Sequence, residues 1–257
     1  MSAQNEQLKI ESQSELINFG LTTSTIYYGG LEINSGQLDP ITDLSPLNHI
    51  QRIEGELWIF DNEQLKGING FNNLVFVKES ISIQGNDDLE KINGFKKLRS
   101  IGGALEIAYN MKLNEMNGFL SLEKVSKGVF FDENENLTNF DGLKNLVEIG
   151  HWLNITNMNN LTSLKGLSNL RYIGTYLQIE GNFSITTLKG LNSLESIGGH
   201  MVINENRNLE SIKDLESLKT IGKLIHINDN NKLVDFEIIE SIQGQGELLI
   251  NHEQKKR

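Results

Sequence analysis

The chain has no cysteine among its 257 residues. It therefore has no disulfide framework, no thiolate metal site and no cysteine nucleophile, and redox chemistry is silent about its compartment. Proline is nearly absent too. The only two, Pro40 and Pro46, leave everything after residue 46 free for uninterrupted strand ladders, which proline would break. Basic residues are in deficit, with 23 Lys and Arg against 34 Asp and Glu for a formal net charge of -11. That balance argues against nucleic acid and anionic membrane surfaces, both of which require a basic footprint, and it favours basic partners. No apolar run approaches the ~18 residues that span a bilayer. Met1-Ser2-Ala3-Gln4-Asn5-Glu6-Gln7 is polar where a signal peptide would be apolar, so a cytoplasmic setting is expected if Met1 is the native start.

The usual signatures of catalysis are missing as well. His49, His151, His200, His226 and His252 form no metal-binding motif, and His200 with His226 on adjacent rungs is too loose a pair for zinc. No nucleophile elbow or phosphate-cradling glycine loop occurs. The turn clusters Asp132-Glu133-Asn134-Glu135-Asn136, Asn86-Asp87-Asp88 and Asn228-Asp229-Asn230-Asn231 offer oxygen ligands for calcium. They lack EF-hand spacing, and solvated turns account for them better. No catalytic residue, metal or cofactor is expected.

What the chain has is a repeat. The second apolar residue of each apolar-x-apolar triplet falls at Ile59, Ile83, Ile107, Phe131, Ile155, Ile179, Ile203 and Ile227, neighbours separated by 24 residues. A fixed period of this length marks stacked supersecondary units. Counting from each anchor, apolar columns follow at three-residue intervals: Leu65 to Leu233 at six, Ile68 to Phe236 at nine, Phe71 to Ile239 at twelve, Leu74 to Ile242 at fifteen and Val77 to Ile221 at eighteen. Neither a helical period nor strict alternation fits that spacing. A coil that turns inward at each corner, with one short strand per side, does fit. Gly70, Gly94, Gly118, Gly142, Gly166 and Gly190 mark one corner, where positive φ or a close approach to the next rung is expected. Asn62, Asn86, Asn110, Asn134, Asn182, Asn206 and Asn230 fill the place three after the anchor, with only Met158 departing. An amide that both donates and accepts suits a ladder along the stack.

The ends differ from the array. Residues 1–30 read as an N-terminal cap containing a short helix, with capping-box spacing in Ser12-Gln13-Ser14-Glu15, an apolar side of Leu16, Ile17 and Phe19, and Gly20 as its end. Leu31-Glu32-Ile33 is the expected first strand, and residues 31–250 the solenoid of about nine to ten rungs. Leu248-Leu249-Ile250 follows Ile227 out of register, and residues 251–257 form a charged tail without an evident covering helix. A monomer, or a dimer formed end to end at an exposed edge, is consistent with this plan.

Strand alternation turns the residues beside each anchor outward, and those columns vary while the core columns do not. Trp58, Phe60, Glu106, Phe130, Gln178 and His226 point outward, with Tyr109, Trp152 and Tyr176 at the margins. Aromatic side chains on an exposed sheet serve as anchors for a protein or as stacking platforms for a sugar. The alternative is that turns or the terminal helix cover them.

Asn169-Leu170-Arg171-Tyr172-Ile173-Gly174-Thr175-Tyr176-Leu177-Gln178-Ile179-Glu180-Gly181-Asn182, the stretch from Leu191 to Asn206, and the opening pair Leu31-Glu32-Ile33 and Ile41-Thr42-Asp43-Leu44-Ser45-Pro46-Leu47 resemble the repeats of receptor L domains. These repeats occur in growth-factor receptor ectodomains and bacterial surface proteins. Ordinary leucine-rich repeats place a leucine two after the asparagine, whereas here it stands three after. The resemblance implies a mainly β fold, a right-handed parallel β-helix of 24-residue rungs. It also implies ligand binding on an exposed sheet face and an extracellular or cell-surface setting. The expected function is a non-enzymatic binding or adhesion module for a protein or glycan ligand. A cytoplasmic structural, scaffold or immunity-type protein is the alternative, and a polysaccharide-active enzyme comes third.

Overall fold

A computed structural model describes residues 7–235, 237–242 and 248–251. The chain coils into a β-solenoid with two long parallel sheets. One has 11 strands and the other 9, and every pairing is between parallel strands. The longer sheet takes one strand from each turn of the coil, including Leu57–Phe60, Ile81–Gln84, Leu105–Ala108, Val129–Asp132 and Trp152–Thr156. Its register places Ile59 beside Ile83, Ile83 beside Ile107 and Ile107 beside Phe131. The anchors are thus the inner residues of a single ladder. The narrower sheet is built from dipeptide strands such as Phe76–Val77, Ser100–Ile101 and Lys124–Val125, whose second residue is the buried column eighteen after the anchor. A short pair, Gly67–Ile68 with Lys91–Ile92, begins a further side. Single-turn 3-10 helices at Ser45–Leu47, Asp141–Leu143, Lys165–Leu167 and Lys213–Leu215 occupy a corner.

Each apolar column becomes one continuous stripe of a single core. In the column twelve after the anchor, Phe71, Phe95 and Phe119 lie stacked at centroid separations of 5.4 and 5.1 Å. Such offset stacking of identical side chains follows when rungs repeat in register. The glycine corner is explained mainly by close approach. A β-carbon on Gly94 would stand 2.1 Å from the Gly70 carbonyl oxygen, so no other residue fits without moving the backbone. The approach is to the preceding rung. Only Gly190 in that column also has positive φ.

The asparagine column is a buried hydrogen-bonded ladder. Asn86 Nδ2 donates to Asn110 Oδ1 (3.1 Å), to Ile59 O and to Gln84 O, and the Asn86 backbone N–H donates to the same Asn110 oxygen. The pattern recurs at Asn62, Asn110, Asn182 and Asn206. Met158 interrupts it: Asn134 Nδ2 keeps its backbone acceptors Ile107 O and Asp132 O but finds the Met158 sulfur, at 3.9 Å, where the other rungs offer an amide oxygen. At the N-terminal end of the ladder Asn62 Oδ1 is buried with no donor, because no asparagine precedes it. The residue just before each ladder member forms a second, unanticipated column. Asp61, Gly85, Tyr109, Glu133, Asn157, Gly181, Glu205 and Asp229 all have φ between 47 and 68°, the left-handed turn that swings the asparagine inward.

The ends depart from expectation. The longer sheet does not start at Leu31; Gln7–Ile10 precedes the helix and pairs with Gly30–Ile33. The helix spans Gln13–Thr22, capped by Ser12 Oγ accepting from Glu15 N. Glu15 accepts in return from the Glu11 amide, one residue outside the usual capping box. Leu16 is fully buried and Phe19 meets Tyr27 edge-on at 5.3 Å, but Ile17 is exposed. Gly20 does not end the helix. It lies inside it, where a β-carbon would strike the Pro46 carbonyl at 2.7 Å, so the helix sits close on the first corner turn. At the other end a five-residue helix, Glu237–Ser241, precedes the last strand, Leu248–Asn251, which pairs with Ile225–Asn228 one residue short of the usual step. Phe236 and residues 252–257 of the charged tail lie outside the described residues.

Candidate ligand-binding face

Across the outer face of the longer sheet the register aligns Glu32, Trp58, Ser82, Glu106, Phe130, Asn154, Gln178, Val202, His226 and Leu249 in one row. Neighbouring strands are ~4.8 Å apart, so a small residue between two large ones leaves a trough. That occurs on the strand Ile81–Gln84. Ser82 lies between Trp58 and Glu106; Gln84, on the same strand, lies between Phe60 and the small, buried Ala108. Ser80 and the left-handed Gly85 keep the two ends of this strand small as well.

The result is a depression of about 650 Å³ lined by Glu56, Trp58, Phe60, Asp61, Ser80, Ser82, Gln84, Gly85, Glu106 and Tyr109. This is the size range of ligand sites in proteins. Trp58 and Phe60 form one wall and Glu106 with Tyr109 the other. Trp58, Phe60 and Glu106 are half-buried, and Tyr109 is exposed. The terminal helix packs on the Ser45–Leu47 corner, and among the described residues Trp58 and Phe60 stay half-exposed.

The electrostatics of the trough are one-sided. Glu56, Asp61 and Glu106 line it, and among the described residues no lysine, arginine or histidine does. Burial, with the charge of Glu56 added, holds the Glu106 carboxyl above the usual carboxylate range. Gln84 Nε2 donates to Ser82 Oγ at 2.8 Å and to Glu106 Oε2 at 3.2 Å, which orients the carboxylate. A hydrogen bond to Asp132 and that group's charge raise the Tyr109 phenol above its ordinary pKa. Asp132 is itself held by Thr156 Oγ1 at 2.6 Å and Asn157 Nδ2 at 2.9 Å. On and just before the strands of the narrower sheet the rule is the opposite: carboxylates meet cations on a neighbouring rung, as in Lys124–Glu148 at 2.8 Å and Arg171–Glu195 at 2.9 Å.

The expected site residues divide. Trp58, Phe60, Glu106 and Tyr109 come together in the trough. Phe130 and Trp152 form a separate edge-on pair at 6.4 Å. The indole lies flat on Gly128, where a β-carbon would stand 2.0 Å from its Cδ2. Tyr176 packs near His200 at 6.2 Å, and burial and the Glu180 charge raise its phenol pKa. Gln178 Nε2 donates to Glu180 Oε2. His226 lies several strands away beside Val202, and His200 occupies a different row, so the two histidines do not face each other. Asn154 and Asn204, on this same face, each bury an Oδ1 without a donor.

Glu56, Asp61, Ser80, Ser82, Gln84 and Gly85 were not anticipated as site residues. The available signal was a contrast between rungs: small residues at 80, 82 and 85 between a rung bearing Trp and Phe and one bearing Glu and Tyr. Among the described residues no group of three or more His, Cys, Asp or Glu side chains is arranged to hold a metal ion, and no helix is long and apolar enough to cross a membrane. Asn182, which stands in an N-x-S/T triplet, is buried in the ladder. No protein-family model matches the chain, and a comparison with curated proteins finds no match.

Proposed function

We propose that this chain is a non-enzymatic binding module that takes a protein or glycan ligand on the outer face of its longer sheet. The supporting fold reading is a right-handed coil of 24-residue rungs of the receptor L-domain kind, used at a cell surface. The observation that carries the functional reading is the open trough. Three aromatic side chains and three carboxylates are gathered around Ser80, Ser82, Gln84 and Gly85. The scaffold does not need such a gathering, because the inward columns alone fill the core. Aromatic groups held by rigid strands lose little entropy on contact and supply most of the energy at protein and sugar interfaces.

The test is a binding profile on peptide and oligosaccharide arrays, comparing the parent chain with the Trp58→Ala/Phe60→Ala double variant. Both side chains are half-buried on the outer face, so the variant should unfold cooperatively near the parent midpoint while losing its array signal. A profile unchanged by the double substitution removes this face as the site.

A further inference from the structure

We infer that the occupant of the trough is an arginine side chain presented by an extended, basic segment of a partner protein. The inference rests on the binding reading above and narrows it to one ligand chemistry.

The first support is charge. Glu56, Asp61 and Glu106 line the depression, and among the described residues none of them belongs to an ion pair and no basic side chain lines it. Elsewhere the fold sets lysine or arginine beside glutamate on successive rungs, so the repeat readily supplies a counterion where one is wanted. Leaving these three carboxylates without a cation among the described residues, two of them half-buried, creates a potential that an incoming cation relieves.

The second support is the kind of cation. The carboxylates are not grouped for a metal ion, and they are interleaved with Trp58, Phe60 and Tyr109, whose ring faces attract organic cations. A guanidinium is flat, weakly hydrated and carries five donors. It can stack on the Trp58 and Phe60 wall while presenting N–H groups to Glu106, which Gln84 already orients. The molecule contains its own example: the Arg52 guanidinium lies 4.6 Å over the Phe76 ring and donates to Glu54 at 2.9 and 3.0 Å. The trough repeats that pairing of ring and carboxylate with the arginine missing. Its volume of about 650 Å³ exceeds what one side chain fills, leaving room for the flanking peptide backbone along the strand direction.

The experiment is a titration of the whole chain with acetyl-Gly-Gly-Arg-Gly-Gly-amide, followed by calorimetry and by tryptophan fluorescence. The same peptide with citrulline, which keeps the shape but not the charge, and a neutral glucose hexasaccharide run in parallel. The arginine peptide should bind at least about tenfold tighter than the citrulline peptide, and Glu106→Gln and Trp58→Ala should each weaken it about five- to tenfold. Circular dichroism confirms that both variants are folded. Raising salt from 50 to 500 mM should weaken binding further, because the pair is only partly shielded from solvent. Equal binding of the arginine and citrulline peptides, lost in Trp58→Ala, overturns the cation assignment and leaves the binding face standing. Binding of the hexasaccharide alone, lost in the same variant, overturns it in favour of a glycan. If no probe binds, or Trp58→Ala changes nothing, both the inference and the face are refuted.

Discussion

Replacing Asn110 with alanine removes one member of the ladder from the middle of the stack, and its cost can be worked out bond by bond. Asn110 Nδ2 donates to Ile83 O (3.0 Å), Ala108 O (2.9 Å) and Asn134 Oδ1 (3.1 Å), and its Oδ1 accepts from the Asn86 N–H (3.2 Å) and Asn86 Nδ2 (3.1 Å). Two amide hydrogens shared among three acceptors, plus one well-used acceptor, amount to roughly three net hydrogen bonds at ~1 kcal/mol each. The substitution also orphans the Asn86 backbone N–H. Its only ladder partner is the lost oxygen, and the site is fully buried, which adds about 1–2 kcal/mol. The expected loss is therefore about 4–5 kcal/mol. For a chain of this size that corresponds to a fall in Tm of roughly 10–15 °C. Urea unfolding followed by circular dichroism measures it, with Asn160→Ala, at an exposed turn position, as a control expected within about 0.5 kcal/mol of the parent. A cost below ~1 kcal/mol for Asn110→Ala, equal to the control, would show that the ladder does not hold the corners and that water replaces it freely.

Met158→Asn should work the other way, since Asn134 Nδ2 would regain an amide oxygen on the next rung and Asn182 Oδ1, which accepts from the Met158 N–H, would gain a side-chain donor; a gain of about 1 kcal/mol is expected in the same urea experiment. Glu133 holds φ at 47° without being glycine, so Glu133→Gly should raise stability by roughly 0.5–1 kcal/mol, where a helix or strand position would lose by the same change. Glu106→Gln tests the raised carboxyl. The folded state binds that proton more tightly than the unfolded chain, so the stability it contributes is present below the ordinary carboxylate range and is lost as pH rises through the raised value. The glutamine variant should thus be more stable than the parent at pH 7, with the advantage vanishing towards pH 4. An advantage that persists unchanged to pH 4 would assign the effect to packing instead. Glu56, Asp61 and Tyr109 line the same trough and are kept in both proteins.

Much of the scaffold was legible because each column has one physical task repeated many times. Burial at Ile59, Ile83 and Ile107, close backbone approach at Gly94, and inward hydrogen bonding at Asn86 and Asn110 each leave the same residue type at a fixed spacing. Features that occur once, or that tolerate several residue types, were not legible. The strand Gln7–Ile10 stands before the array with no repeat to mark it. The left-handed column accepts Asp61, Gly85, Tyr109 and Glu133 alike, so conformation there is imposed by the coil and not announced by composition. Gly20 looked like a helix end because glycine often is one; its role is contact with Pro46, which depends on a partner 26 residues away. The candidate site was half legible. Trp58, Phe60, Glu106 and Tyr109 were singled out as large or charged outward groups. That these four converge depends on the smallness of Ser80, Ser82 and Gly85 between them, a property of three adjacent rungs together. Phe130, Trp152, Tyr176, Gln178 and His226 have the same outward pattern but lie along the sheet beyond the trough, where their neighbours fill the space between strands.

The most direct test of the trough as a cation-binding site is a two-dimensional amide spectrum of the whole chain, recorded while the arginine pentapeptide is added. Shift changes should be concentrated at Trp58, Ser82, Gln84, Gly85 and Glu106, with the amides of the narrower sheet at Lys124, Glu148 and Glu195 unmoved. Changes spread evenly along the acidic surface, or centred on the row from Asn154 to His226, would contradict the account.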